Sequence, residues 1–134
     1  MVGATKQKFV FDTSAIVALL LEEKISDPDI KNGIDSFYSD SAIACAPRLI
    51  ITEIGNALKS AYLSKRISST SAESLFLHFL NLHIEYKDPN PNKILHNSIE
   101  KNISFYDSTY LTLSQETGFP LLTLDKKLAK LAHA

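Results

Sequence analysis

Four short apolar runs, each divided from the next by helical patterning, limit the folds open to this chain. Residues 8–12 read as a buried strand, since Phe9, Val10 and Phe11 are good strand formers. Ile43-Ala44-Cys45-Ala46 reads as a second strand and His83-Ile84-Glu85-Tyr86 alternates like a third. Leu121 to Leu124 reads as a fourth, also buried. The intervening patterns are helical: Ala15 to Glu22, Asp27-Pro28 to about Tyr38, 48–65, Ser69 to about Leu80, Asn90 to about Asn102, Ser104 to Thr117 and 126–132. Local punctuation agrees. Asp12-Thr13-Ser14 offers helix caps, Pro28 and Pro47 suit first turns, and Gly118 suits a C-terminal cap. Strands that alternate with helices in this way imply a parallel sheet covered on both faces. The expected fold is α/β, a three-layer α/β/α sandwich with a short central parallel sheet.

Size and composition narrow the class further. At 134 residues the chain is expected to form one domain over 1–134, with residues 1–7 as a loose tail. That length buries a core without staples. The single cysteine, Cys45, excludes an internal disulfide framework and any multi-cysteine metal site, and fits a reducing cytoplasm. The apolar stretch Ala15 to Leu21 is too short to span a bilayer, and Met1 to Lys8 lacks the apolar core and small-residue cleavage site of a signal peptide. No membrane association is expected. The formal net charge is −1, against the basic balance usual for nucleic-acid binders.

Part of that negative charge sits in four chain-distant carboxylates at the edges of apolar elements. Asp12 ends the first strand, Glu53 lies within the helical pattern 48–65, Asp107 opens a later helix and Asp125 follows the last strand. Setting these four aside turns −1 into +3, a balance compatible with RNA. Acids at such places cost desolvation energy unless something positive meets them. Ligands of parallel sheets bind beyond the carboxyl ends of the strands, where Asp12 and Asp125 lie. Hard oxygen donors gathered at one point suit Mg²⁺ or Mn²⁺, and such a site suits phosphodiester hydrolysis.

Each acid also has a structural reading. Asp12 and Asp125 stand where helix caps stand, and Ser104-Phe105-Tyr106-Asp107 reads as a variant capping box. Glu53 is the hardest to explain this way. Its neighbours at helical spacing include Leu49, Ile50 and Ala57, an apolar face where an unpaired carboxylate is costly. Other chemistry is poorly served. The four histidines show no metal-ligand spacing, the serines lack an evident histidine partner, and the four glycines form no phosphate-cradling loop. An aspartyl-phosphate phosphatase wants a second Asp two residues after the nucleophile, where Ser14 stands.

Four segments carry a family resemblance. Phe9-Val10-Phe11-Asp12-Thr13-Ser14-Ala15-Ile16 resembles the opening strand of PIN-domain ribonucleases. Glu53-Ile54-Gly55-Asn56-Ala57-Leu58, Tyr106-Asp107-Ser108-Thr109-Tyr110-Leu111 and Leu122-Thr123-Leu124-Asp125-Lys126-Lys127-Leu128 resemble their three later acidic motifs, in the same order. The resemblance covers about residues 8–132, and the small size is most similar to VapC-type toxins of toxin–antitoxin pairs. It implies that Asp12, Glu53, Asp107 and Asp125 bind Mg²⁺ (or Mn²⁺) and carry catalysis, with Ser14 supporting Asp12 and Thr123 playing a similar part near Asp125. It implies an endoribonuclease acting on RNA, a homodimer and a small antitoxin protein as partner. A stand-alone RNA-processing nuclease and a non-catalytic PIN-like binding module are the alternatives.

Overall fold

The computed structural model describes residues 6–133. Its elements follow the chain as β1 (Gln7–Phe11), α1 (Thr13–Leu20), α2 (Pro28–Tyr38), β2 (Ala42–Ala46), α3 (Leu49–Leu63), α4 (Ser69–Leu80), β3 (Ile84–Tyr86), α5 (Pro91–Lys101), α6 (Phe105–Thr117), β4 (Leu121–Leu122) and α7 (Lys126–Ala132). Capping chemistry explains most boundaries. Asp27 and Asn90 each accept two backbone N–H bonds ahead of a proline that opens the helix. Gly118 ends α6 in the left-handed conformation, with φ 74°.

All strand pairs are parallel, in the order β3-β2-β1-β4. The register sets Phe9 beside Ala44 and Phe11 beside Leu122. Val10 and Phe11 point to opposite faces of the sheet, yet both are buried. Helices therefore cover both faces, as the expected sandwich requires. The Phe11 ring meets Phe37 of α2 at 5.7 Å between centroids. Gly33 lets α2 approach closely, because a Cβ there would lie 2.2 Å from Leu122 Cδ1.

Three local differences from the sequence reading have physical causes. Gln7 is not tail but strand, since it pairs with Ala42, whereas residues 1–5 of the expected tail lie outside the described residues. Pro47 stands before α3 rather than in its first turn, and its carbonyl accepts from Ile50 N–H as the helix begins. The fourth strand stops at Leu122 because the next backbone groups turn to side chains. Leu124 N–H donates to Ser14 Oγ and Asp125 N–H to Thr123 Oγ1.

The topology also locates a crevice. From β1 the chain builds outward through β2 to β3, then returns to place β4 on the other side of β1. The strand order reverses between β1 and β4, and open parallel sheets bind ligands at such a switch point. Asp12 directly follows β1, and Thr123 directly follows β4.

Candidate functional site

Asp12 is the most buried of the four acids and the most firmly held. It caps α1 by accepting from Ala15 N–H at 3.2 Å. Ser14 Oγ donates to its Oδ1 at 2.6 Å, and Thr123 Oγ1 donates to its Oδ2. The hydroxyl of Thr123 thus serves the carboxylate of Asp12 across the β1–β4 boundary. It reaches Asp125 only by accepting that residue's backbone N–H, at 3.0 Å. Burial pushes the Asp12 carboxyl above its ordinary range, the three hydrogen bonds pull against that, and the charge of Asp107 adds to the rise.

Glu53 stands on α3, half-buried. Its Oε1 accepts from Thr13 Oγ1 at 2.9 Å and from Tyr110 Oη at 2.6 Å, and those two hydroxyls lie 3.0 Å apart. The apolar face that argued against an unpaired carboxylate is therefore relieved by hydroxyls rather than by a cation. Burial, then the Glu53 bond, raise the Tyr110 phenol far above its ordinary value, so it stays a proton donor at any working pH. Thr13 and Tyr110 were not singled out by the sequence reading. A signal for Tyr110 existed: it lies three residues after Asp107, on the same helical face.

Asp125 keeps a capping role as well, whereas at Asp107 the cap belongs to Ser104 and, among the described residues, the Asp107 carboxylate returns no bond to the Ser104 N–H, so only half of the expected capping box forms. Ser104 Oγ accepts from Asp107 N–H at 3.0 Å to start α6, and Asp125 Oδ1 accepts from Leu128 N–H at 3.1 Å to start α7. Asp107 joins the group electrostatically. Its carboxyl is raised by burial first, then by the charges of Asp125 and Glu53, while Ser104 and Lys127 pull it down. The charge of Asp107 is thus felt together with those of Asp125, Glu53 and Asp12. Three helix N-termini, those of α1, α6 and α7, also lie beside these acids and offset part of the repulsion.

Cap and ligand are compatible roles because each carboxylate oxygen accepts at two sites: Asp125 uses only Oδ1, and Asp12, with both oxygens engaged, keeps one site on Oδ2. Among the described residues, none of the four acids is in a salt bridge. No three His, Cys, Asp or Glu of the described residues meet at a single point ready to hold an ion. The donor chemistry nonetheless fits a hard divalent cation: every group offered is an oxygen, and among the described residues the negative charge is answered by hydroxyls, backbone N–H groups and the charge of Lys127. A separate cavity of about 570 Å³ opens between α2, the β4 edge and α7; it includes Thr123 and Leu124 but none of the four acids.

Comparison with known proteins gives an independent line. The PIN domain family model matches residues 9–134. Ribonuclease VapC1 of Mycobacterium tuberculosis is 34% identical over 90 residues, which is 66% of this chain and 67% of that protein. Exonuclease VapC9 of Pyrobaculum aerophilum is 29% identical over 80 residues, 60% of each chain. Among solved structures, PAE2754 from Pyrobaculum aerophilum superposes with a TM-score of 0.72 at 23% identity, covering 94% of this chain and 86% of that one. VapC20 of Mycobacterium tuberculosis, described as a Sarcin-Ricin loop cleaving toxin, superposes with a TM-score of 0.60 at 13% identity, covering 92% and 94%. These two likenesses establish the fold.

Proposed function

The chain belongs to the PIN-domain family, and from that membership and the geometry of the acids we propose that it is a metal-dependent endoribonuclease. What supports this reading is that the acids after β1, on α3, on α6 and before α7 act on one another's charge near the β1–β4 switch point, with no salt-bridged cation among the described residues.

Asp12, Glu53, Asp107 and Asp125 would hold Mg²⁺ or Mn²⁺. What such a cation supplies when bound is activation of water and compensation of charge on the phosphodiester. The chain's own groups do the rest. Ser14, Thr123 and Ala15 N–H fix the orientation of Asp12, so its position is set before substrate arrives. Thr13 and Tyr110 occupy Glu53 Oε1, which leaves Oε2 for other partners. A carboxylate of this group would accept the proton of the attacking water.

Tyr110 offers a test of this division of labour. Tyr110→Phe keeps the ring but removes the donor to Glu53. Outer partners of this kind typically change metal affinity by about ten- to a hundredfold. The expected result is that the Mg²⁺ or Mn²⁺ concentration needed to raise the melting temperature increases by about that factor. An unchanged ion dependence would show that the Glu53–Tyr110 bond serves packing only.

The reading extends to a toxin of the VapBC type, supported by the likeness to VapC1, which is named a ribonuclease. A small antitoxin protein and a homodimer belong to that reading. Tyr38 on α2 and Tyr62 on α3 are 59% and 46% exposed and suit interface contact. An antitoxin would inhibit by laying a peptide over the acids, with an Arg paired to them. The protein would work in the cytoplasm; among the described residues no helix is long and apolar enough to cross a membrane. The name of VapC9 favours a second reading, an exonuclease.

One experiment sorts these. Purified protein is incubated with end-labelled RNA in Mg²⁺, Mn²⁺ or chelator. Internal fragments that appear only with metal support the endonuclease; a ladder growing from one end supports the exonuclease. No cleavage with either ion, or cleavage unaffected by chelator, overturns the proposal. Growth arrest on expression, relieved by an adjacent small gene, separates the toxin from a stand-alone processing nuclease.

A further inference from the structure

The rim of the acidic region carries an aromatic side chain that the fold leaves unused. Tyr106 stands one residue before Asp107 in the first turn of α6 and is 58% exposed. It precedes Tyr110 by four residues, so the two share one stripe of the helix. Tyr110 is buried with its hydroxyl on Glu53, which puts Tyr106 one turn outward along the same face. Among the described residues the Tyr106 ring is in no aromatic pair. Leu124, directly before Asp125, is also exposed, at 37%. Asp107 and Asp125, whose charges act on each other, thus each carry an exposed apolar neighbour. Lys127 stands two residues after Asp125 in the first turn of α7, is exposed, and is in no salt bridge among the described residues.

We propose that Tyr106 is a positioning residue on whose ring the nucleobase beside the scissile phosphate stacks, with Lys127 meeting a neighbouring phosphate. The inference rests on the ribonuclease reading above and adds to it the group that holds the substrate. Four clustered acids repel a phosphate backbone, so the substrate needs a foothold that charge does not supply. Stacking of a base on an aromatic ring is such a foothold, and any base can make it. A base reaches the ring only when it is free of its own stack.

Phe105 gives an internal control. It is 46% exposed and lies next to Tyr106, but its helical neighbours at three and four residues are Ser108 and Thr109. The Ser108 hydroxyl donates to the Ile94 carbonyl of α5, so that side of α6 turns toward α5 and away from Glu53.

The test compares the parent with Tyr106→Ala, Tyr106→Phe and Phe105→Ala. Binding of a single-stranded oligoribonucleotide is read by fluorescence anisotropy in chelator, where nothing is cleaved, and KM and kcat are read with Mg²⁺ or Mn²⁺. Melting temperatures of all four proteins check the fold. Tyr106→Ala should weaken binding and raise KM by about tenfold with kcat little changed, a size typical of losing one stacked base. Tyr106→Phe should match the parent, and Phe105→Ala should stay within about twofold, well under the loss of one stacked base. An oligomer with abasic sugars should bind the parent and Tyr106→Ala equally weakly. Parent-like binding and KM for Tyr106→Ala, or equal affinity of the parent for abasic and base-bearing strands, would overturn the stacking role. Those results leave cleavage by the parent intact. A parent that cleaves no RNA with either ion instead fails the ribonuclease reading, and this inference with it.

Discussion

Asp12→Asn is expected to abolish metal-dependent RNA cleavage, lowering kcat by at least roughly a hundredfold, the scale on which loss of one electrostatic group in an active site is felt. The substitution keeps the size of the side chain and removes its charge. Asn still caps α1, because its amide oxygen accepts from Ala15 N–H and from Ser14 Oγ as the carboxylate does. The bond that cannot persist unchanged is the one from Thr123 Oγ1, which would meet an amide nitrogen in place of Oδ2. The fold should therefore survive, with a melting temperature near that of the parent. Thr123→Val supplies the control: it removes the hydroxyl and keeps the charge, so it should lower activity by less. Parent-like cleavage by Asp12→Asn would remove Asp12 from the site, whatever its burial.

The hydroxyls of Thr123 and Tyr110 show where sequence reasoning stops. Helix starts were readable because their causes are local: Asp27 before Pro28, Asn90 before Pro91, and Ser104 three residues before Asp107 each close a bond within a few residues. The placing of acids at strand ends was readable for the same reason, since Asp12 abuts an apolar run. Strand order is different. Nothing near Thr123 in the chain states that β4 lies beside β1, so the sequence points its hydroxyl to the neighbourhood of Asp125, two residues on, and not to Asp12. Thr13 and Tyr110 depend on how α1, α3 and α6 pack, and their bonds to Glu53 span 40 and 57 residues. Hydroxyls that serve a distant carboxylate leave no periodic trace, because Ser, Thr and Tyr are equally at home in caps, turns and half-buried faces.

In chelator, Asp107→Asn is expected to raise the melting temperature. Asp107 is only half-buried, and the charges of Asp125 and Glu53 act on it from across the region. Those neighbours, together with burial, favour the protonated carboxyl in the folded chain. A carboxyl whose pKa is raised on folding contributes most below the ordinary 3.8, and that contribution is lost as pH rises through the raised value. At neutral pH the parent therefore carries a repulsion that Asn lacks, and removing it should raise Tm by roughly 2–5 °C for a chain of this length. The gain should shrink as pH falls toward 3.8, where the parent's own carboxyl becomes neutral. Asp88 does not confuse this reading. The Arg48 backbone N–H and guanidinium hold its pKa down, so its titration lies below 3.8, on the other side of the window. Adding Mg²⁺ or Mn²⁺ should reverse the order of the two proteins, because an ion that binds the folded chain stabilises it by mass action and only the parent has the full set of carboxylates. An Asp107→Asn Tm equal to or below the parent's in chelator, with the same response to metal, would mean that Asp107 is only a first-turn residue of α6 and belongs to no charge cluster.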